Sequence, residues 1–77
     1  MKRISKKRNL KILGDALKKA RIDAGLSQND LSKLTDIDRA YISRTERGLH
    51  NPNIITLCVL CKYLELSLSD ACEGMPV

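Results

Sequence analysis

QNDLSKLTDIDRAYISRTER, residues Gln28 to Arg47, divides into two short helical patterns joined by a tight turn. Ser27, just before it, is a good N-cap; Asp30 stands three residues on, where a capping-box acid helps, and Leu31 and Leu34 supply apolar positions. A helix over about 28–34 is predicted. A second starts near Asp38, which can cap it; its apolar positions Tyr41 and Ile42 are followed by Thr45, and Gly48 stands just beyond its end as a C-cap. Thr35, Asp36 and Ile37 connect the two. That is the helix-turn-helix arrangement, whose first helix braces across a DNA backbone while the second lies in the major groove.

Working outward, Leu13, Leu17, Ala20 and Ala24 recur at spacings of three and four, which predicts a helix from about Leu10 to Ala24, ended by Gly25. Behind the motif, GLHNPN (48–53) has turn chemistry throughout. Asn53 can then cap a fourth helix over 53–64, with Ile54, Leu57, Leu60, Cys61 and Leu64 on one stripe closing the core. Ser69 to Cys72 suggests a short fifth helix, ended by Gly74 and Pro76. The expected fold is therefore all-α, a compact bundle of four to five helices. Residues 1–9 form a basic, flexible arm, 10–74 the helix-turn-helix domain and 75–77 a tail.

Seventy-seven residues leave room for one domain, which at this size buries only roughly 60% of its unfolded surface. Phe and Trp are absent, so Leu and Ile must build the core. The net charge of +5 suggests a polyanionic partner. Its distribution says more: Lys2, Arg3, Lys6, Lys7, Arg8 and Lys11 fall in the first eleven positions without an acid, leaving eight basic against nine acidic residues in the rest. A solvated tail, and an arm that follows the DNA backbone or enters a minor groove, are both open readings of that segment. No run approaches the ~20 apolar residues of a membrane span, and no signal-type run follows the basic start, so a cytoplasmic protein without membrane contact is expected.

The segment RIDAGLSQNDLSKLTDIDRAYISRTERGLHNPNIITLCVLCKYLELSL, Arg21 to Leu68, resembles the phage-repressor (Cro/C1, XRE-type) helix-turn-helix family, with a lambda-repressor-like fold. DRAYISRTERGLHNPN is similar to members that include the controller proteins of restriction-modification operons. The resemblance implies that Arg21 pairs with Glu46, fixing the first helix on the third, and that Gln28 lies near a DNA phosphate. Ser32 stands where Ala is usual and Asp36 where Gly is usual, and Thr35 and Thr45 replace apolar core residues. Asp tolerates the left-handed conformation such a turn needs better than most residues.

On the third helix, Ile42 is the inward anchor, which leaves Arg39, Ala40, Ser43 and Arg44 on a broad outward face. Arginine offers two parallel hydrogen bonds to guanine O6 and N7. Ala40 permits close approach to a thymine methyl, Ser43 reaches a base or a phosphate, and Tyr41 can place its hydroxyl on the backbone. Arg47, Asn51 and Asn53 complete the candidate DNA contacts. The competing description of Arg39, Arg44 and Arg47 is a solvated charged face. His50 reads as an ordinary exposed loop residue.

Family members of this kind commonly dimerise through their last helices, so Tyr63, Leu66, Leu68, Cys72 and Met75 are candidates for a two-fold contact. Finishing the monomer core is the other use for them. Cys58 and Cys61 form a CxxC, but without a second spaced pair it does not make a metal or redox site, and three cysteines in a chain without a secretory signal read as thiols. No catalytic constellation and no cofactor motif is present. The expected function is sequence-specific binding of double-stranded DNA as a homodimeric transcriptional regulator, a repressor or operon controller, with RNA polymerase a candidate contact for an activating member. An antitoxin-type protein-interaction module with autoregulatory DNA binding is the alternative.

Overall fold

The computed structural model describes residues 5–75. They form five helices: α1 Lys6–Asp23, α2 Gln28–Thr35, α3 Arg39–Glu46, α4 Ile54–Tyr63 and α5 Leu68–Ala71, with no strand among the described residues. No helix there is long and apolar enough to cross a membrane.

Most helix ends are set by residues within four positions of them. Ser27 and Asp30 make a reciprocal capping box at the start of α2, each side chain accepting from the other's backbone N–H at 2.9 Å. Asn53 Oδ1 accepts from Thr56 N–H at 2.8 Å at the start of α4. Asp38 precedes α3 but makes no side-chain cap bond, contrary to the expectation, so the first amides of α3 keep no side-chain partner. At the other ends, Gly25 (φ 74°) and Gly48 (φ 69°) close α1 and α3 in the left-handed conformation. Leu26 N–H reaches back to the Arg21 carbonyl at 3.1 Å and Leu49 N–H to Arg44 at 2.9 Å. Asp36 (φ 60°) turns the chain between α2 and α3.

The start of α1 differs from the expected Leu10. Ser5 caps it, its hydroxyl accepting from Arg8 N–H at 3.2 Å, and this brings Lys6 to Asn9 into the helix. Lys6, Lys7 and Arg8 thus stand on α1 and not in an extended arm. The rest of the arm, residues 1–4, and Pro76 and Val77 of the tail lie outside the described residues.

Leu13 and Leu17 of α1, Leu31 of α2, Ile42 of α3, Leu60 and Cys61 of α4, with Leu64 and Ala71, form the buried core. No water-sized space remains between Leu17, Leu31, Ile42, Leu60 and Leu64, so this small core is filled to the density that makes every methylene count. Ile54 departs from its expected inward stripe: as the first residue of α4 it reaches past the core edge and is 60% exposed. Leu34, at the solvent side of α2, is also exposed.

The crossing of α1 on α3 depends on a glycine that helical periodicity did not single out. A Cβ at Gly14 would lie 2.5 Å from the carbonyl oxygens of Thr45 and Glu46, closer than real atoms approach. The hydroxyls that replace apolar residues are all satisfied locally. Thr35 Oγ1 donates to the Leu31 carbonyl at 2.7 Å, Ser32 Oγ to Ile37, and Thr45 Oγ1 to Tyr41 at 2.9 Å. A buried hydroxyl that keeps its hydrogen bond avoids most of its desolvation cost.

Candidate nucleic-acid interface

Arg21 and Glu46 meet in two parallel hydrogen bonds, Nε to Oε2 at 2.7 Å and Nη2 to Oε1 at 3.0 Å. The third arm of the guanidinium, Nη1, donates to the Leu26 carbonyl at 2.7 Å. Both side chains are almost wholly buried, 10% and 3% exposed. The hydrogen bond to Glu46 strengthens the hold of Arg21 on its proton, against the opposing effect of burial. A forked pair of this kind fixes the angle between α1 and α3 as well as their separation.

Gln28 is attached to this pair. Its Nε2 donates to Glu46 Oε1 at 3.1 Å, and its Oε1 faces Arg39 Nη1 at 3.5 Å, the outer limit of a hydrogen bond. The first residues of α2 and α3 thus lean on one polar chain that starts in the core. One N–H of the Gln28 amide remains for an outside acceptor.

Beyond Arg39, Ala40 and Arg44 are exposed, Ser43 is half-buried and Ile42 is 1% exposed. Arg47 is exposed and folds its Nε back on the Ser43 carbonyl at 3.3 Å. The outward side of α3 therefore carries two guanidinium groups that make no ion pair among the described residues, separated by small side chains, a surface that admits base edges and offers donors to guanine or phosphate. Tyr41 is half-buried, and its hydroxyl accepts from Asn53 N–H at 3.0 Å, leaving its own proton to donate. Asn53 has spent its Oδ1 on the α4 cap, and its Nδ2 remains as donor. Asn51 is exposed in the same loop.

His50 is not the ordinary exposed loop residue that the sequence suggested. It is half-buried, its ring stands edge-on to Tyr41 with centroids 4.4 Å apart, and Nε2 lies 2.6 Å from Thr45 Oγ1. Thr45 has already given its only hydroxyl proton to the Tyr41 carbonyl, so the hydrogen-bond network assigns the His50 proton to Nε2. Burial, and then the charge of Arg44, push the imidazole below its ordinary pKa. His50 thereby fastens the 48–53 loop to α3. The one available signal was the spacing of five from Thr45, which is not diagnostic by itself.

The proposed two-fold residues divide. Tyr63, Leu68 and Cys72 are exposed, whereas Leu66 and Met75 turn inward and are half-buried against the core. All three cysteines are free, and burial raises the Cys61 thiol. Among the described residues no group of three His, Cys, Asp or Glu side chains could hold a metal ion.

Two helices on a left-handed turn, the second braced from behind by a buried ion pair and bare on its outward side, define a helix-turn-helix protein. Residues 17–70 match the family model described as helix-turn-helix, and the chain belongs to that family. It is 34% identical over 68 residues to the transcriptional regulator ClgR of Mycobacterium tuberculosis, covering 83% of this chain but only 61% of that regulator. Among solved structures it resembles the restriction-modification controller protein C.Esp1396I, a tetramer on its natural 35 base-pair operator, with TM-score 0.72 and 36% identity over 83% of this chain and 84% of that one. It also resembles the controller C.AhdI from Aeromonas hydrophila, with TM-score 0.77 and 30% identity over 83% and 97% of the two chains.

Proposed function

We propose that the chain is a sequence-specific regulator of transcription that binds double-stranded DNA by placing α3 in the major groove. The observation that carries this reading is the polar chain Arg21, Glu46, Gln28, Arg39. It presets an exposed arginine at the start of α3, with Arg44 five residues further along the same helix. Arg39 and Arg44 read bases, Ala40 and Ser43 line the approach, and Gln28, Tyr41, Arg47, Asn51 and Asn53 meet phosphates. The work is binding without a catalytic step, on DNA in the cytoplasm.

A homodimer fits the same reading. Tyr63 and Leu68 expose 49% and 42% of their surface on the last two helices, and Cys72 lies beside them. A two-fold pair would set two copies of α3 about one DNA turn apart, ~34 Å. The similarity to restriction-modification controller proteins, one of them solved on its natural operator, supports action on an operator, as repressor or controller.

Selection from a random duplex pool tests the proposal, with the winner titrated at two salt concentrations beside a scrambled duplex. A palindromic winner preferred ~10³-fold or more is the expected outcome. A pool without a winner, bound equally and lost steeply with salt, would overturn it in favour of general DNA coating. A pool that is not bound at all would turn the search to a protein partner.

A further inference from the structure

The first turns of α1 are held rigidly against the far end of α3. A Cβ at Gly48 would sit 2.9 Å from Lys11 Cα and 3.2 Å from the Leu10 carbonyl carbon, and one at Gly14 would strike the Thr45 and Glu46 carbonyls. Backbone lies against backbone at two places, which fixes how the two helices cross. Lys6, Lys7 and Arg8 extend from this junction and are exposed, reaching about 7.5 Å of helix axis beyond Lys11. Lys11 pairs with Asp15 at 2.9 Å. Among the described residues, Lys6, Lys7 and Arg8 make no ion pair.

The placement opposes the local electrostatics. A helix N-terminus carries partial positive charge and favours acids, yet the first turn of α1 has no acid and holds three cations. Such a conflict between local preference and fold marks a functional surface, where something outside the chain supplies the compensation. Arg44 and Arg47, in and after the last turn of α3 and so just before Gly48 in the chain, are exposed as well.

We infer that Lys6, Lys7 and Arg8 form a rigid phosphate platform that grips the backbone of the same duplex beside the base pairs read by α3. The inference rests on the groove reading of α3 and adds a surface to it. Lys6 to Arg8 rise only ~3 Å along the helix and point about 100° apart around it, so one strand, whose phosphates advance ~3.4 Å per nucleotide along the axis, meets one or two of these cations at a time. Because phosphates carry no base information, the platform adds affinity to every sequence alike.

The test is the triple variant Lys6→Gln/Lys7→Gln/Arg8→Gln, which keeps helix propensity and whose helicity is checked by circular dichroism. It is titrated against the selected duplex and a scrambled one over a salt series. At ~0.9 per phosphate, the slope of log K against log salt should fall by about 1 to 2, with equal fold-loss on both duplexes and the preference between them unchanged. Lys18→Gln/Lys19→Gln, exposed toward the other end of α1, should leave the slope as it is.

An unaltered slope in the triple variant overturns the platform and leaves an acidic protein or RNA as its occupant. An equal drop in the Lys18/Lys19 variant overturns it too, since net charge would then be the cause. If the unsubstituted protein itself fails to prefer the selected duplex, the groove reading has failed, a different result from a triple variant that behaves like its parent.

Discussion

Gln28 Nε2 donates a 3.1 Å hydrogen bond to Glu46 Oε1, across eighteen residues of chain, while the same carboxylate holds Arg21 with both oxygens. One buried acid thereby orients the first residue of α2 and the guanidinium that ties α1 to α3. The core and the reading surface share a partner.

Glu46→Ala strands the Arg21 charge in the interior and should cost ~3 to 5 kcal/mol in urea unfolding. Arg21→Met combined with Glu46→Leu removes both charges and should recover much of that loss. A single variant as stable as the parent would show that the pair is not buried in solution.

Arg39→Ala should weaken the selected duplex by ~1 to 3 kcal/mol and relax preference at one base pair. Gln28→Ala, which frees Arg39 without removing it, should relax the same base pair by less. Equal weakening on all sequences would place both residues on phosphates.

Gly14→Ala gains up to ~1 kcal/mol of helix propensity. It loses more by driving a methyl into two carbonyls at 2.5 Å, so net destabilisation in chemical denaturation is expected. A stabilised Gly14→Ala protein would mean that α1 and α3 stand further apart than this.

Acid should destabilise the protein in two separate windows. The folded imidazole of His50 lies below its unfolded value of about 6.5, so folding binds fewer protons there; its contribution is complete above that pH and falls as pH drops through and below it. The Asp30 carboxyl is also held below its ordinary range, chiefly by the Ser27 amide and then its hydroxyl, so its contribution persists above about 3.9 and is lost on further acidification. Melting temperature against pH should show the first decline in the parent and not in His50→Gln.

Leu68→Glu places a charge on a side chain that is 42% exposed, so the monomer should fold as before. Sedimentation should show a homodimer for the parent and a monomer for the variant. A parent that is monomeric at all concentrations would assign Tyr63, Leu68 and Cys72 to another use.

Periodicity and turn chemistry in the sequence alone located all five helices, and residues such as Ser27, Asn53, Gly25 and Gly48 marked where they begin and end. That succeeds because a cap and its partner lie within a few residues of each other, so their geometry is already implied by the order of the chain. Only the tertiary structure showed that Gly14 permits the α1–α3 crossing, that His50 closes on Thr45 and Tyr41, that Leu66 and Met75 turn inward, and that Gln28 leans on Glu46. Arg21 and Glu46, twenty-five residues apart, were connected beforehand by the family resemblance and not by spacing. Contacts of that kind depend on the angle at which helices cross, which is set by how all the core side chains fill one volume together.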